Sequence, residues 1–131
     1  MEQSKFFASS HRPKNEPDVL NNTLVVQTFI SKIISEQYSS YCILVDSYSK
    51  VKDLNKLFIE QYETVPDWLK PKIKKKLITR IEFSNYNKMY FIHNPRIAKC
   101  LTFSQCIYLG DIENYNADYI FLVNQASLRN N

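Results

Sequence analysis

The sequence has 131 residues and a formal net charge of +4, and 44% of its residues are hydrophobic and 14% aromatic. These values exclude an intrinsically disordered chain, and the length suits a single domain with its own core. The sequence contains one glycine, Gly110. This excludes the usual phosphate-binding loop and dinucleotide fingerprint, because both need several glycines close to the phosphates.

The sequence contains no recognisable membrane-spanning segment or secretion signal. No stretch approaches the roughly 20 apolar residues that cross a bilayer, and the first residues do not resemble a signal peptide. We therefore expect a cytoplasmic protein, in the host cell if it is viral, with no membrane partner. The three cysteines have no CxxC spacing and the two histidines no i,i+4 partner. We predict buried free thiols at Cys42 and Cys106, and no metal site.

The first part of the chain divides into an arm and a helix. Residues 1–20 are polar and contain two prolines, so we predict a flexible N-terminal arm before a single domain of residues 21–131. Apolar residues at helical spacing predict a helix over Thr23–Tyr38, with Asn22 as its N-cap.

A strand, a second helix and a turn follow. Tyr41–Val45 is apolar throughout and predicts a buried strand. Ser49 is expected to cap the second helix. The apolar face of that helix contains Val51, Leu54, Phe58 and Tyr62. Pro66 and Pro71 then force a turn, in which we expect Trp68 to pack against the core.

The second half of the chain predicts a hairpin, a strand and a final helix. Apolar and polar residues alternate over Leu77–Phe83 and Lys88–His93, around a polar turn at Ser84–Asn87, which is typical of a β-hairpin. A further strand is predicted at Gln105–Leu109, and residues 115–129 can form a helix or a helix followed by a strand. This order of elements predicts an α/β fold with a mixed β-sheet flanked by helices.

Basic residues are concentrated in one segment. They are Lys70, Lys72, Lys74, Lys75, Lys76 and Arg80. Such a cluster is typical of a polyanion-binding site, so these residues are candidates for nucleic-acid binding. A solvated turn and helix face would carry the same charges, and both interpretations stay open.

Four segments of the chain share their order and spacing with one protein family. They are Thr23-Leu24-Val25-Val26, the proline-bracketed Val65–Pro71, the hairpin Arg80–Met89, and Ala98–Phe103 with Ile107–Asp111. Together they resemble the N-terminal ATPase domain of the large terminase subunit, the DNA-packaging motor of tailed bacteriophages. The resemblance implies a RecA-like P-loop ATPase core, ATP and Mg²⁺ as cofactors, and DNA and other packaging-motor proteins as partners. In the hairpin, Asn85 or Tyr86 stands where the family has glycine.

The sequence departs from the terminase pattern at the residues that perform hydrolysis. The family's phosphate loop ends in Gly-Lys-Thr, whereas the aligned residues here are Asn21, Asn22 and Thr23. The lysine that reaches the β- and γ-phosphates is therefore missing. The family's acidic pair is replaced by Gly110 and Asp111, which leaves Asp111 as the one candidate for a catalytic acid.

These departures predict a degenerate and truncated terminase-like domain that lacks ATP hydrolysis and needs no cofactor. Such a domain would act as a binding or assembly module, or be a relic of a packaging motor. One alternative is an active packaging ATPase that another chain completes, which would require ATP and Mg²⁺. A second alternative is a small basic phage α/β protein that binds nucleic acid or a protein partner through Lys70–Arg80.

Overall fold

The computed structural model describes residues 16–130, with side chains described for residues 20–126. Within these residues the helices are α1 (Glu16–Ser35), α2 (Tyr48–Glu63), α3 (Pro95–Ala98) and α4 (Ala117–Asn130). The strands are β1 (Ser40–Leu44), β2 (Ile73–Lys76), β3 (Arg80–Phe83), β4 (Lys88–Ile92) and β5 (Gln105–Tyr108). A short 3₁₀ turn, Ile112–Asn114, precedes α4.

The strands form one mixed sheet in the order β2-β3-β4-β1-β5. β1 pairs in parallel with β4 on one side and with β5 on the other, whereas β2, β3 and β4 form an antiparallel meander. The predicted α/β fold with a mixed sheet flanked by helices is confirmed. Because β1, β4 and β5 run in the same direction, the loops that follow them meet at one edge of the sheet.

The first helix begins earlier than the sequence predicts. α1 starts at Glu16, so residues 16–20 belong to the helix and Asn22 lies inside it instead of capping it. Pro17 in the first turn fits a helix start, because the N–H that proline lacks has no intrahelical partner there. The rest of the predicted arm, residues 1–15, lies outside the described residues.

The second helix buries the apolar face that the sequence predicts. Its buried residues are Val51, Leu54, Phe58 and Tyr62. The N-cap is Ser47 and not Ser49, and the Ser47 hydroxyl accepts a hydrogen bond from the Lys50 N–H at 3.3 Å. The helix starts at Tyr48, so Ser47 is the residue with the extended backbone that a cap requires.

Two apolar clusters pack on opposite faces of the sheet. On one face Phe29 of α1 and Phe58 of α2 belong to the larger cluster, and on the other Leu122 of α4 packs with Cys42 and Cys106. These two cysteines are register partners on β1 and β5, and both are buried free thiols, as predicted. Burial raises the pKa of Cys42 well above its usual value, so the group stays a neutral thiol.

The sequence does not predict β2, a four-residue strand at the edge of the sheet. Three of its residues are lysines, which have low β-propensity, so pairing with β3 and not intrinsic preference forms the strand. Leu77–Thr79, predicted as the start of the next strand, instead connect β2 and β3. Asn55 of α2 fixes this connection, since its amide donates to the carbonyl oxygens of Leu77 and Ile78 at 3.0 and 2.9 Å.

The proline-bracketed turn differs from its prediction in one respect. The side chain of Trp68 is 84% exposed, so the expected packing against the core is wrong. Tyr62 takes that role, because its ring is buried and its hydroxyl donates to the Pro71 carbonyl oxygen. The turn is therefore closed from the α2 side and leaves the indole in solvent.

The last segment forms one helix. α4 covers Ala117–Asn130, which excludes the alternative of a helix followed by a strand. Tyr119, Leu122 and Ala126 form its buried side, and α4 lies against β5. Within the described part of the chain, no helix combines the length and the apolar character needed to cross a membrane.

Candidate functional site

The loops after β1 and β5 bring two carboxylates to one edge of the sheet. Asp46 follows β1 and Asp111 follows β5. The Lys50 ammonium of α2 lies between them, with Nζ 2.7 Å from Asp46 Oδ1 and 3.2 Å from Asp111 Oδ1. We refer to Asp46, Lys50, Tyr108, Asp111 and Asn114 as the carboxyl-end network.

Asp46 is the centre of this network. Its Oδ2 accepts hydrogen bonds from the Asp111 N–H at 3.0 Å and from the Asn114 side-chain amide at 2.7 Å, and its side chain is only 6% exposed. Burial by itself would raise the pKa of Asp46, but the hydrogen bonds and the charge of Lys50 outweigh burial and lower it. The carboxylate is therefore ionised at neutral pH.

The Lys50 ammonium neutralises much of the negative charge of Asp46 and Asp111, which would otherwise attract a metal ion. Burial would lower its pKa, but the hydrogen bonds and attraction of Asp46 and Asp111 raise it above the usual value, so the side chain stays cationic. Mg²⁺ prefers an octahedral set of oxygen ligands and would have to displace this ammonium group. Among the described residues, no group of three or more His, Cys, Asp or Glu side chains could hold a metal ion.

Gly110 is required by the space around it and not by its backbone, since its φ is not positive. A Cβ at this position would overlap the phenol of Tyr108 and lie 2.9 Å from Cγ of Asp46. The Tyr108 hydroxyl donates to the Asp111 carbonyl oxygen at 2.7 Å, and its ring packs against two further tyrosines at centroid distances of 4.7 and 4.8 Å. An acidic side chain at the position aligned with the first acid of the terminase pattern would therefore have to displace the Tyr108 phenol and would lie against the Asp46 carboxylate.

The residues aligned with the phosphate loop do not form a loop. Asn21, Asn22 and Thr23 lie within the 20-residue helix α1. Inside an α-helix each backbone N–H bonds to the carbonyl four residues earlier, so these N–H groups do not converge on an anion. Phosphate binding at a helix uses the free N–H groups of its first turn. The structure therefore does not bring these residues together into a nucleotide site.

Asp111 is the member of the carboxyl-end network that we identified from the sequence. We did not identify Asp46, Lys50 or Asn114 from it. A signal for two of them was available. Asp46 directly follows a buried strand, and Lys50 is four residues later, the spacing of a helical ion pair. Asn114 has no such signal, because its contact with Asp46 joins residues far apart in the sequence.

No protein-family model and no curated protein matches this chain. The resemblance to terminases therefore stays a prediction that rests on the four sequence segments. The geometry at the two ends of the sheet gives information about function that does not depend on this resemblance.

The amino end of the sheet is built around the turn between β3 and β4. The side-chain amides of Asn85 and Asn87 each donate to the carbonyl oxygens of Ile33 and Glu36, at distances between 2.7 and 3.2 Å. These carbonyls lie at the C-terminal end of α1, where a helix leaves them without intrahelical partners. Asn87 also accepts a hydrogen bond from the Ser39 N–H at 2.9 Å. We refer to this arrangement as the Asn85–Asn87 clamp.

Two tyrosines beside the clamp have left-handed backbone conformations. The φ angles of Tyr38 and Tyr86 are 57° and 69°. Their rings stack on each other at a centroid distance of 5.1 Å and an interplanar angle of 3°, and the two residues are 74% and 60% exposed. Tyr86 is thus the hairpin residue whose backbone favours the glycine of the terminase pattern.

The structure divides the predicted nucleic-acid-binding residues into two groups. Lys70 donates to the Tyr62 carbonyl oxygen at 2.8 Å, and Arg80 forms an ion pair with Glu82 at 2.8 Å, so both are engaged within the domain. The other four are exposed on or beside β2, and they are Lys72, Lys74, Lys75 and Lys76. Among the side chains of residues 20–126, no carboxylate forms an ion pair with these four. The alternative of a solvated turn and helix face is correct in that these lysines are exposed, but wrong about the helix, because Ile73–Lys76 is an edge strand.

Proposed function

We propose that the chain is a terminase-like module that takes part in viral DNA packaging without hydrolysing ATP. The order of the four segments supports the first half of this proposal. The first segment lies in α1 before β1, the hairpin segment covers β3 and the start of β4, and the last segment contains the second half of β5 beside β1. An α/β sheet binds phosphate-bearing ligands at the carboxyl ends of its parallel strands, and Asp111 follows such an end.

The position of the Lys50 ammonium is the main observation that supports the proposed lack of ATP hydrolysis. ATP hydrolysis needs Mg²⁺ on the β- and γ-phosphates and a group that orients the attacking water. Here a cation of the protein itself bridges Asp46 and Asp111, and a second acid at Gly110 would collide with the Tyr108 phenol. The loss of even one preorganised contact to the reacting phosphate costs about 10²-fold or more in rate.

Titration calorimetry with ATP and Mg²⁺ at concentrations up to several millimolar tests the nucleotide half of the proposal, since the KM values of enzymes lie between about 1 μM and 1 mM. We expect no saturable heat of nucleotide binding from the purified chain. Asn21–Thr23 are helical and form no phosphate loop, and Lys50 is ion-paired with the carboxylates of Asp46 and Asp111. Saturable binding with a stoichiometry of one nucleotide per chain would contradict the proposal.

Reconstitution tests the packaging half. The chain is mixed with the portal and terminase proteins of a tailed bacteriophage, and sedimentation and ATP hydrolysis are measured with and without DNA. We expect the chain to sediment with the motor proteins and to add no hydrolysis of its own. If hydrolysis appears only when the chain is added, the alternative of an ATPase completed by another chain is correct. If the chain does not sediment with the motor, a packaging role is wrong.

A further inference from the structure

Neither the fold nor the packaging proposal explains the surface formed by Tyr38, Lys72, Lys74 and Tyr86, which we name the amino-end surface. We propose that it binds single-stranded nucleic acid, with a base stacked on the exposed Tyr38–Tyr86 pair and phosphates beside the lysines of β2. This inference goes beyond the packaging function and does not depend on it.

The aromatic pair is the first observation in favour of this proposal. Both rings are mostly exposed, and both backbones have the left-handed conformation that non-glycine residues disfavour. Glycine or asparagine would adopt that conformation more readily, so the backbone gives no reason for tyrosine at Tyr38 and Tyr86. Residues held in such conformations are concentrated at functional sites. An exposed aromatic ring is the group on which an unpaired base stacks, whatever its sequence.

Positive charge next to the rings is the second observation. The Lys74 ammonium lies 5.8 Å from the centroid of the Tyr86 ring. Lys72 lies beside the same turn, because its N–H donates to the Ser84 hydroxyl at 3.0 Å and its carbonyl accepts from the Ser84 N–H at 2.8 Å. Lys75 and Lys76 follow along β2, whose pairing with β3 is irregular between Ile73 and Lys75. Side chains of successive strand residues point to opposite faces, so the row from Lys72 to Lys76 is one of backbone positions, which at about 3.3 Å per residue extend over roughly 13 Å of the sheet edge.

Protection of the sheet edge explains the lysines but not the tyrosines. Lysines on an edge strand prevent pairing with strands of other chains, and β2 is such a strand. That role needs no stacked aromatic pair at the end of the row. A row of cations that ends at exposed rings is instead the combination found in proteins that bind single strands, where charge follows the backbone and rings hold the bases.

The rings distinguish a single strand from a duplex. In a duplex the faces of the bases are covered by their neighbours, so an exposed tyrosine pair has no base to stack on. A surface of lysines without rings would bind a duplex at least as well, because the duplex has the higher charge density. A preference for single strands is therefore the result that separates the proposed site from a merely basic edge.

Fluorescence anisotropy with labelled oligonucleotides measures this preference. Oligo(dT) and oligo(U) of roughly 12 nucleotides and a DNA duplex of equal length are titrated with the chain at about 50 mM salt and above. We expect single strands to bind more tightly than the duplex, and the logarithm of affinity to fall with that of salt with a slope of about −2 to −3 for three or four phosphate contacts. The comparison of oligo(dT) with oligo(U) shows whether DNA or RNA is preferred.

One ring variant and one matched pair of lysine variants test the residues. Tyr86→Gly removes a ring but keeps a residue suited to the left-handed backbone, and we expect about tenfold weaker binding of single strands with an unchanged salt slope. Lys74→Gln should reduce the magnitude of the slope by about 0.7. Lys52→Gln removes the same charge from an exposed position on α2, two residues from Lys50, and should leave the slope unchanged.

Three results would overturn the proposal. These are no measurable binding to either oligonucleotide, equal affinity for the duplex and the single strands, or a Tyr86→Gly variant that binds like the unmodified chain. Thermal unfolding of Tyr86→Gly shows whether the variant is folded. Should it not fold, Tyr38→Asn provides the same test, because asparagine also tolerates the left-handed conformation.

Discussion

The carboxyl-end network and the amino-end surface both combine lysine with tyrosine, but their side chains have different partners. Lys50 lies within 3.2 Å of two carboxylates, and the Tyr108 hydroxyl bonds to the Asp111 carbonyl oxygen. At the other end of the sheet, Lys74 lies against Tyr86, whose ring is exposed. The carboxyl edge of a parallel sheet is where ligands usually bind, yet here its polar groups bind one another. The comparison indicates that the amino-end surface, whose tyrosines and lysines face solvent, is the better candidate for ligand binding.

Removal of Asp46 should have the largest effect on stability. Asp46→Ala leaves the Lys50 ammonium and the donors of Asp111 and Asn114 without their acceptor. We expect a loss of about 3 kcal/mol in the free energy of unfolding, measured by urea denaturation. Asp67→Ala removes a carboxylate whose side chain is fully exposed, and should leave the free energy of unfolding unchanged. Equal losses in the two variants would show that the network does not stabilise the fold.

Addition of one methyl group at Gly110 should have the next largest effect. Gly110→Ala places a Cβ against the Tyr108 phenol and the Asp46 carboxylate, and we expect a loss of about 2 kcal/mol from overpacking. In the background of Tyr108→Leu, whose side chain is shorter, the same change should cost less. Additive losses in the double variant would contradict the steric explanation.

The pH dependence of stability should show a smaller effect of the same network. The pKa of Asp46 is lowered in the folded state, so its contribution is present above the unfolded value of about 3.9 and is lost as the pH falls through the folded value. Lys50 has a raised pKa, so its contribution is present below the unfolded value of about 10.4 and is lost as the pH rises through the folded value. Urea denaturation of Asp46→Asn between pH 2 and pH 7, roughly the range of carboxylate titration, should show a weaker acid dependence than that of the unmodified chain.

Substitution of Tyr86 should have the smallest effect on stability. Tyr86→Gly loses the stack with Tyr38 but relieves a left-handed backbone, and we expect these terms to cancel within about 1 kcal/mol. Tyr86→Val, which is β-branched, should destabilise the chain clearly more. A loss in Tyr86→Gly as large as that in Asp46→Ala would show that the ring is structural, and would remove the contrast between the two ends.

The sequence predicts those parts of the fold whose residues repeat with the period of their own element. The apolar face of α2 repeats at helical spacing and the strands of the hairpin alternate, so both were identified from local sequence. β2 was missed because Ile73–Lys76 has no such pattern and becomes a strand only through pairing with β3. Asn22 was misassigned as an N-cap for a related reason. Asparagine is a favoured cap residue, but α1 already begins at Glu16, six residues earlier.

The candidate site was less predictable, because its contacts join distant parts of the chain. Asp111 was identified from its place after an apolar strand, but its N–H contact with Asp46 spans 65 residues. The absence of an acid at Gly110 was evident from the sequence, whereas its steric reason depends on how Tyr108 folds back over the loop. The resemblance aligned the family's hairpin glycine with Asn85 or Tyr86 without deciding between them. The left-handed backbone of Tyr86 and its stack with Tyr38 were not predicted.

The Asn85–Asn87 clamp also joins two segments that are far apart in the chain. The C-terminal carbonyls of α1 receive their hydrogen bonds from amides 49 to 54 residues later in the chain. An isolated peptide of α1 would lack these donors, and its last turn would fray in water. In the domain, we therefore expect the end of α1 and the β3–β4 turn to open as one cooperative unit. Their backbone amides are expected to exchange hydrogen for deuterium at a common rate, slower than those of the Trp68 turn.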